Sequence, residues 1–167
     1  MTVFWTTSSL NYYIVLYYLK YVPGNIYVNA ALSCTADIAS HLILGGLMKK
    51  LGVRISFMIS FGLAASGSLL LVIFFKADGA LIAVFVMLAK FGIGMAFGLS
   101  YLSMPGLFPP EVLTTAFGIC NLFARFSTVL SSEIAELPDP APMSIYTITC
   151  VVALFLSPCL RRVKKAA

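Results

Sequence analysis

The sequence predicts an all-α membrane protein, a single bundle of six transmembrane helices over residues 1–167, and three observations carry that expectation. Of its 167 residues 60% are hydrophobic and only 10% charged, with a mean hydropathy of +0.99. A water-soluble domain carries about 25% charged residues, so this chain is too poor in charge to cover a wetted surface. Its apolar runs are long and do not alternate with polar residues, which excludes the dyad pattern of a membrane β-barrel. In a bilayer every backbone polar group must be satisfied within the segment, and helices do this.

A span needs about 20 mostly apolar residues. The first expected helix, 3–19, is rich in tyrosine and ends at a turn over Lys20 to Asn25 holding Pro23-Gly24. The second, 26–48, stops at a tight basic loop, Lys49-Lys50-Leu51-Gly52-Val53-Arg54. The third, 55–75, is followed by the polar turn Lys76-Ala77-Asp78-Gly79. The fourth, 80–103, leads into Met104 to Pro110, whose three prolines predict a loop. The fifth, 112–134, gives way to the proline-rich stretch Ala135 to Pro142, and the sixth, 143–160, ends in a basic tail.

Numbering the loops alternately, one side collects Lys49, Lys50, Arg54, Arg161, Arg162, Lys164 and Lys165, the other only Lys20 and Lys76. Seven against two predicts that both termini face the cytoplasm, or the matrix of an organelle. The start of the chain lacks the basic opening and cleavage site of a secretory leader. The net charge of +5 is expected to reflect these flanking loops, with no nucleic-acid partner. Cys34, Cys120, Cys150 and Cys159 form no metal-ligand pattern and read as small apolar residues in helices. Gly94 and Gly98 form a G-x-x-x-G pair, read first as a close helix contact and second as a homodimer contact.

Charges near the bilayer centre usually face a cavity or a partner. The second helix centres near Asp37, with His41 four residues on and on the same face. The fourth centres near Lys90. The fifth carries Asn121 and Arg125 on one face, continued by Ser132. The first has Tyr12 and Tyr13 at similar depth. Four helices thus bring polar groups to one expected level, and two carry no interior charge. The functional reading is a solute site at the midplane, as in secondary transporters. Lys90 and Arg125 outweigh Asp37, so the expected solute is an organic anion, with Arg125 as the bidentate ligand and the tyrosines as stacking partners. The structural alternative is equally open: Asp37 pairs with Lys90 or Arg125 to fix helix contacts, His41 is a hydrogen-bonded histidine of the bundle, and the tyrosines pack. A single histidine and no neighbouring nucleophile give no catalytic constellation, no phosphate-binding loop is present, and no cofactor is expected.

Several stretches carry a family resemblance: Lys90-Phe91-Gly92-Ile93, Ala96-Phe97, Tyr101-Leu102, Leu107-Phe108-Pro109, Gly118, Cys120 and Ala124-Arg125, with Trp5, Tyr12-Tyr13, Ile26-Tyr27 and Asp37 upstream. These resemble, without a gap, the C-terminal six helices of a major facilitator superfamily transporter of the organic cation/anion transporter family. The family has K-F-G-I-x-x-A-F, Y-L, E-L-Y-P-T-x-x-R, G-x-x-C and A-R at those offsets. The resemblance implies half of that fold and a substrate site facing a second half. A basic residue at the Arg125 position implies the anion branch. His41 stands where anion members often have lysine. In the family's gate motif the acid is here Gly106 and the arginine Leu113, and the loop after the second helix has no acid. Gate ion pairs bias the inward- and outward-open states. Two functions follow as expectations. One is a carrier half that moves an organic anion by alternating access with a partner half. The other is a degenerate half-transporter serving as a structural subunit of a larger membrane complex.

Overall fold

A computed structural model of the chain describes residues 1–22, 25–74 and 79–160. The described residues are helical almost throughout. The order is α1 (Thr2–Tyr18), α2 (Ile26–Ile73), α3 (Gly79–Leu102), the single turn α4 (Met104–Leu107), α5 (Pro110–Ala135) and α6 (Ala141–Leu156). Short 3-10 turns, Leu19–Tyr21 and Ser157–Cys159, extend α1 and α6. Asn25 caps α2 by accepting a hydrogen bond from the Tyr27 amide at 2.9 Å. Pro110 and Pro142 sit in the first turns of α5 and α6, where a missing N–H costs nothing. Pro23-Gly24, Lys76 to Asp78, and the tail residues Arg161, Arg162, Lys164 and Lys165 lie outside the described residues.

Two segments expected as loops are shorter breaks than expected. Met104 to Pro110 contains α4, because Pro105 occupies its first turn rather than its interior. The expected tight basic loop Lys49 to Arg54 is a reversal that narrows to one non-helical residue, Gly52. Helical hydrogen bonding runs up to and away from a break at Gly52, whose φ of 82° and ψ of 167° suit glycine alone. Gly52 divides α2 into two arms, and the glycines show that these run in opposite directions. A Cβ on Gly94 would meet Ser40, and one on Gly98 would meet Leu44, so α3 runs parallel to the first arm. A Cβ on Gly67 would come within 2.5 Å of Ala89, and one on Gly92 would strike Ala64, so α3 runs antiparallel to the second arm. Gly94 and Gly98 are therefore spent on contacts within the chain.

Among the described residues, four helices are long and apolar enough to cross a membrane: α2, α3, α5 and α6. This is two fewer than the six spans expected, and the physical reasons are plain. The 48 residues of α2 form one element of about 72 Å of helix, twice a bilayer's hydrocarbon thickness, folded back at Gly52. The 17 residues of α1 cover only about 26 Å.

The main core lies where α1, both arms of α2, α3 and α6 meet, around Ile14, Phe57, Phe61, Ala89, Ile93 and Tyr146. A smaller cluster of Trp5, Met104, Cys120 and Ala124 joins α1 to α5. Polar groups cross-link the helices as well. Asn11 donates to Thr149 at 2.9 Å, and Tyr146 donates to the Ala89 carbonyl at 2.9 Å. At the end away from Gly52, Tyr18 donates to Asp139 and Lys20 pairs with Glu136. That carboxylate raises the Lys20 pKa above its ordinary 10.5. Any stability from the pair is therefore fully present below that pH and fades as pH climbs through the raised value.

Candidate functional site

Three of the seven expected site residues come together at the centre of the bundle. Asp37, in the first arm of α2, accepts a hydrogen bond from the Tyr12 hydroxyl at 2.8 Å. Lys90 of α3 places its ammonium 3.5 Å from the same carboxylate oxygen and 3.3 Å from the centroid of the Tyr12 ring. The lysine is fully buried, whereas the Asp37 side chain is 23% exposed. Phe97 stacks on Tyr12 at 5.1 Å, and Tyr13 meets its edge at 5.6 Å. A buried ammonium is tolerable here because a carboxylate and an aromatic face both answer its charge.

The cluster is not saturated. Among the described residues, the Lys90 ammonium and Oδ1 of Asp37 have no hydrogen-bond partner although both are buried. Lys90 also lines a narrow crevice with Leu19, Val22, Asn29, Ser33 and Met87. Leaving such buried groups without partners costs about 1–3 kcal/mol each.

The other candidates lie elsewhere. Nδ1 of His41 stands 2.8 Å from the Asp37 carbonyl, and its ring borders Gly98. Asn121 and Arg125 belong to α5. That helix turns Cys120, Ala124, Ser127, Ser131 and Ala135 inward, and beside them runs a second stripe of exposed Thr114, Gly118 and Arg125 with half-buried Asn121, Thr128 and Ser132. Arg125 is exposed and, among the described residues, has no carboxylate within ion-pair distance. Ser127 donates to the Thr6 carbonyl, which places Arg125 level with the first turns of α1. Tyr12 lies at least six residues further along, about 9 Å farther from the Gly52 end. The single level expected for the polar groups is thus two tiers, with Asp37, Lys90 and Tyr12 in one and Arg125 and His41 nearer the Gly52 end. Helix stagger causes the offset: α5 starts ten residues before its contact at Cys120 with Thr2 at the head of α1.

Sequence reasoning did not single out the aromatic cluster beside the first turns of α1. The sole tryptophan, Trp5, is fully buried with Tyr101 and Phe117 against it at 4.5 and 4.9 Å, and Phe97 joins Tyr101 to Tyr12. The signal available was the four-residue spacing of Phe97 and Tyr101, which puts both rings on one face of α3.

No established protein-family profile matches the chain. Individual proteins do. The chain is 26% identical over 160 residues to solute carrier family 22 member 21 of Mus musculus, covering 92% of this chain and 28% of that protein. It is 29% identical over 166 residues to organic cation/carnitine transporter 2 of Rattus norvegicus, covering 92% and 29%. It is 28% identical over 136 residues to solute carrier family 22 member 16 of Xenopus laevis, covering 81% and 24%. The chain therefore spans less than a third of the length of these relatives. All are transporters or solute carriers by name, which supports a membrane role other than catalysis. Along nine-tenths of its length, this bundle of apolar helices is similar to the transporters of solute carrier family 22.

Proposed function

We propose that residues 1–167 form one half of a major facilitator carrier, corresponding to the C-terminal six helices, that moves an organic anion by alternating access against a second half. Six passes arise when each arm of α2 counts as one span and α1 is completed by the turn after it. The basic turn at Gly52 then faces the cytoplasm or the matrix.

One observation supports the reading: Arg125 lies within the long apolar helix α5, exposed and without a carboxylate partner among the described residues, while the charge of Asp37 is already answered by Lys90. A guanidinium facing lipid would cost about 3 kcal/mol or more at the bilayer centre. The stripe of α5 thus fits a wetted pathway or another protein surface, and a lone guanidinium there suits a carboxylate bound through both oxygens. Lys90, Asp37 and Tyr12 then shape the pathway's outer tier, with Tyr13, His41 and Asn121 along its wall.

A second reading is favoured by the Trp5–Tyr101–Phe117 cluster and by relatives whose names include carnitine, a carboxylate joined to a quaternary ammonium. Arg125 would take the carboxylate and the aromatic faces the ammonium.

Uptake into cells expressing the protein, with radiolabelled monocarboxylates and carnitine in parallel, tests both. Arg125→Ala is expected to abolish uptake of either with helix content unchanged, and unchanged uptake would refute the assignment. Purification in mild detergent tests the role itself. Recovery only in a stable complex with unrelated membrane subunits, and no uptake, would favour a structural subunit instead.

A further inference from the structure

The Gly52 end of the bundle gathers basic charge with little to balance it. Lys49 and Lys50 are exposed and Arg54 half-buried, all within one turn of the break. Among the described residues none of the three makes an ion pair, whereas Lys20 and Lys90 each face a carboxylate. The end of α6 returns to the same place. Thr147 donates to Ser68 of the second arm, and ten residues later the turn Ser157–Cys159 again packs on α2. Ten residues of helix advance about 15 Å. Beyond Ser68, α2 continues only to Ile73, so the later contact lies toward Gly52. The last described residues, Ser157–Leu160, therefore lie on the Gly52 side of Ser68.

The surroundings distinguish a lipid from an acidic protein. Leu51, Ile55 and Met58 are exposed between and beside the basic residues, at 43%, 45% and 37%. They lie where the apolar arms of a membrane helix turn back. Apolar side chains there enter the acyl layer while lysine stems reach up to the head groups. An acidic polypeptide in water would leave those three apolar groups wetted.

We propose that the Gly52 turn is a docking surface for anionic phospholipid head groups, formed by Lys49, Lys50 and Arg54. The phosphodiester and any carboxylate of the head group meet the ammonium and guanidinium donors, and the acyl chains lie along Leu51, Ile55 and Met58.

The test uses the full chain, delipidated on resin in mild detergent and equilibrated with mixed micelles of phosphatidylserine and phosphatidylcholine in equal amount. Co-eluted lipid is counted by mass spectrometry. The expected result is at least a tenfold preference for phosphatidylserine. It should fall below threefold in the Lys49→Gln, Lys50→Gln, Arg54→Gln variant and shrink in about 0.5 M salt, where the Debye length is only a few ångströms. Equal retention of the two lipids, a preference indifferent to salt, or an unchanged preference in a folded triple variant would each overturn the proposal. So would equal displacement of the lipid by free inorganic phosphate, or tighter capture of polyglutamate than of phosphatidylserine. If the triple variant fails to fold, the salt titration of the unmodified chain decides.

Discussion

Replacing Asp37 by asparagine leaves the buried Lys90 ammonium without its counter-charge but with its Tyr12 ring in place. At 3.5 Å and an effective dielectric of about 20, the pair attracts by about 4.7 kcal/mol. Part of that offsets the desolvation of a fully buried lysine, which the substitution does not relieve. Breaking one partner of a buried pair costs about 3–5 kcal/mol, so Asp37→Asn is expected near 3 kcal/mol. Lys90→Met leaves a partly exposed carboxylate that water can reach, and should cost less. The double variant removes both charges and should recover most of the loss, giving a coupling energy of about 2 kcal/mol or more. Trp5 provides the assay. It is the only tryptophan, fully buried among Tyr101 and Phe117, so its fluorescence reports unfolding in detergent titrated with SDS. Additive single-variant losses, or an Asp37→Asn cost below about 1 kcal/mol, would show that the charges do not hold one another.

Further outcomes are expected in the same assay. Gly92→Val places a side chain into the Ala64 backbone and should cost about 2 kcal/mol or more, while Gly118→Val, with open space around it, should stay within about 1 kcal/mol. Equal effects at the two sites would contradict the packing of α3 on the second arm. Gly52→Ala forces a side chain into a glycine-only conformation, for about 1–3 kcal/mol, and a neutral result would contradict the break that reverses α2. Tyr12→Phe keeps the ring under Lys90 but removes the hydroxyl donated to Asp37. A loss of about 1–2 kcal/mol is expected, and no loss would mean the hydrogen bond is absent in the membrane protein.

The site was legible only in part, and the reason lies in what spacing can encode. Asp37, Lys90 and Arg125 stood out in the sequence because charge is rare inside long apolar runs, and rarity needs no coordinates to detect. Whether Asp37 would meet Lys90 or Arg125 was undetermined, since both lie on other helices. Depth was misjudged because it was counted from the ends of each helix. Neighbouring helices begin at different heights, and a shift of six residues moves a side chain about 9 Å. The aromatic cluster escaped notice because Trp5, Tyr101 and Phe117 lie on three separate elements, and aromatic residues are common in any membrane helix.

Composition, the lengths of the apolar runs and the positions of proline determined by themselves that this chain is a helical membrane protein, since the bilayer leaves a greasy backbone no other way to satisfy its polar groups. The asymmetry of lysine and arginine likewise needed no coordinates to show a basic end. Tertiary structure alone decided three things. It decided that the expected loop at Gly52 is a direct reversal, because only the φ of one glycine and the opposite directions of its contacts on α3 reveal it. It decided that Gly67, Gly92, Gly94 and Gly98 let α3 sit between both arms of α2, because close approach depends on what faces a missing side chain. And it decided which charges are spent: Asp37 answers Lys90, while Arg125 stands free of carboxylates among the described residues, because a charge's partner is set by distance in space and not along the chain.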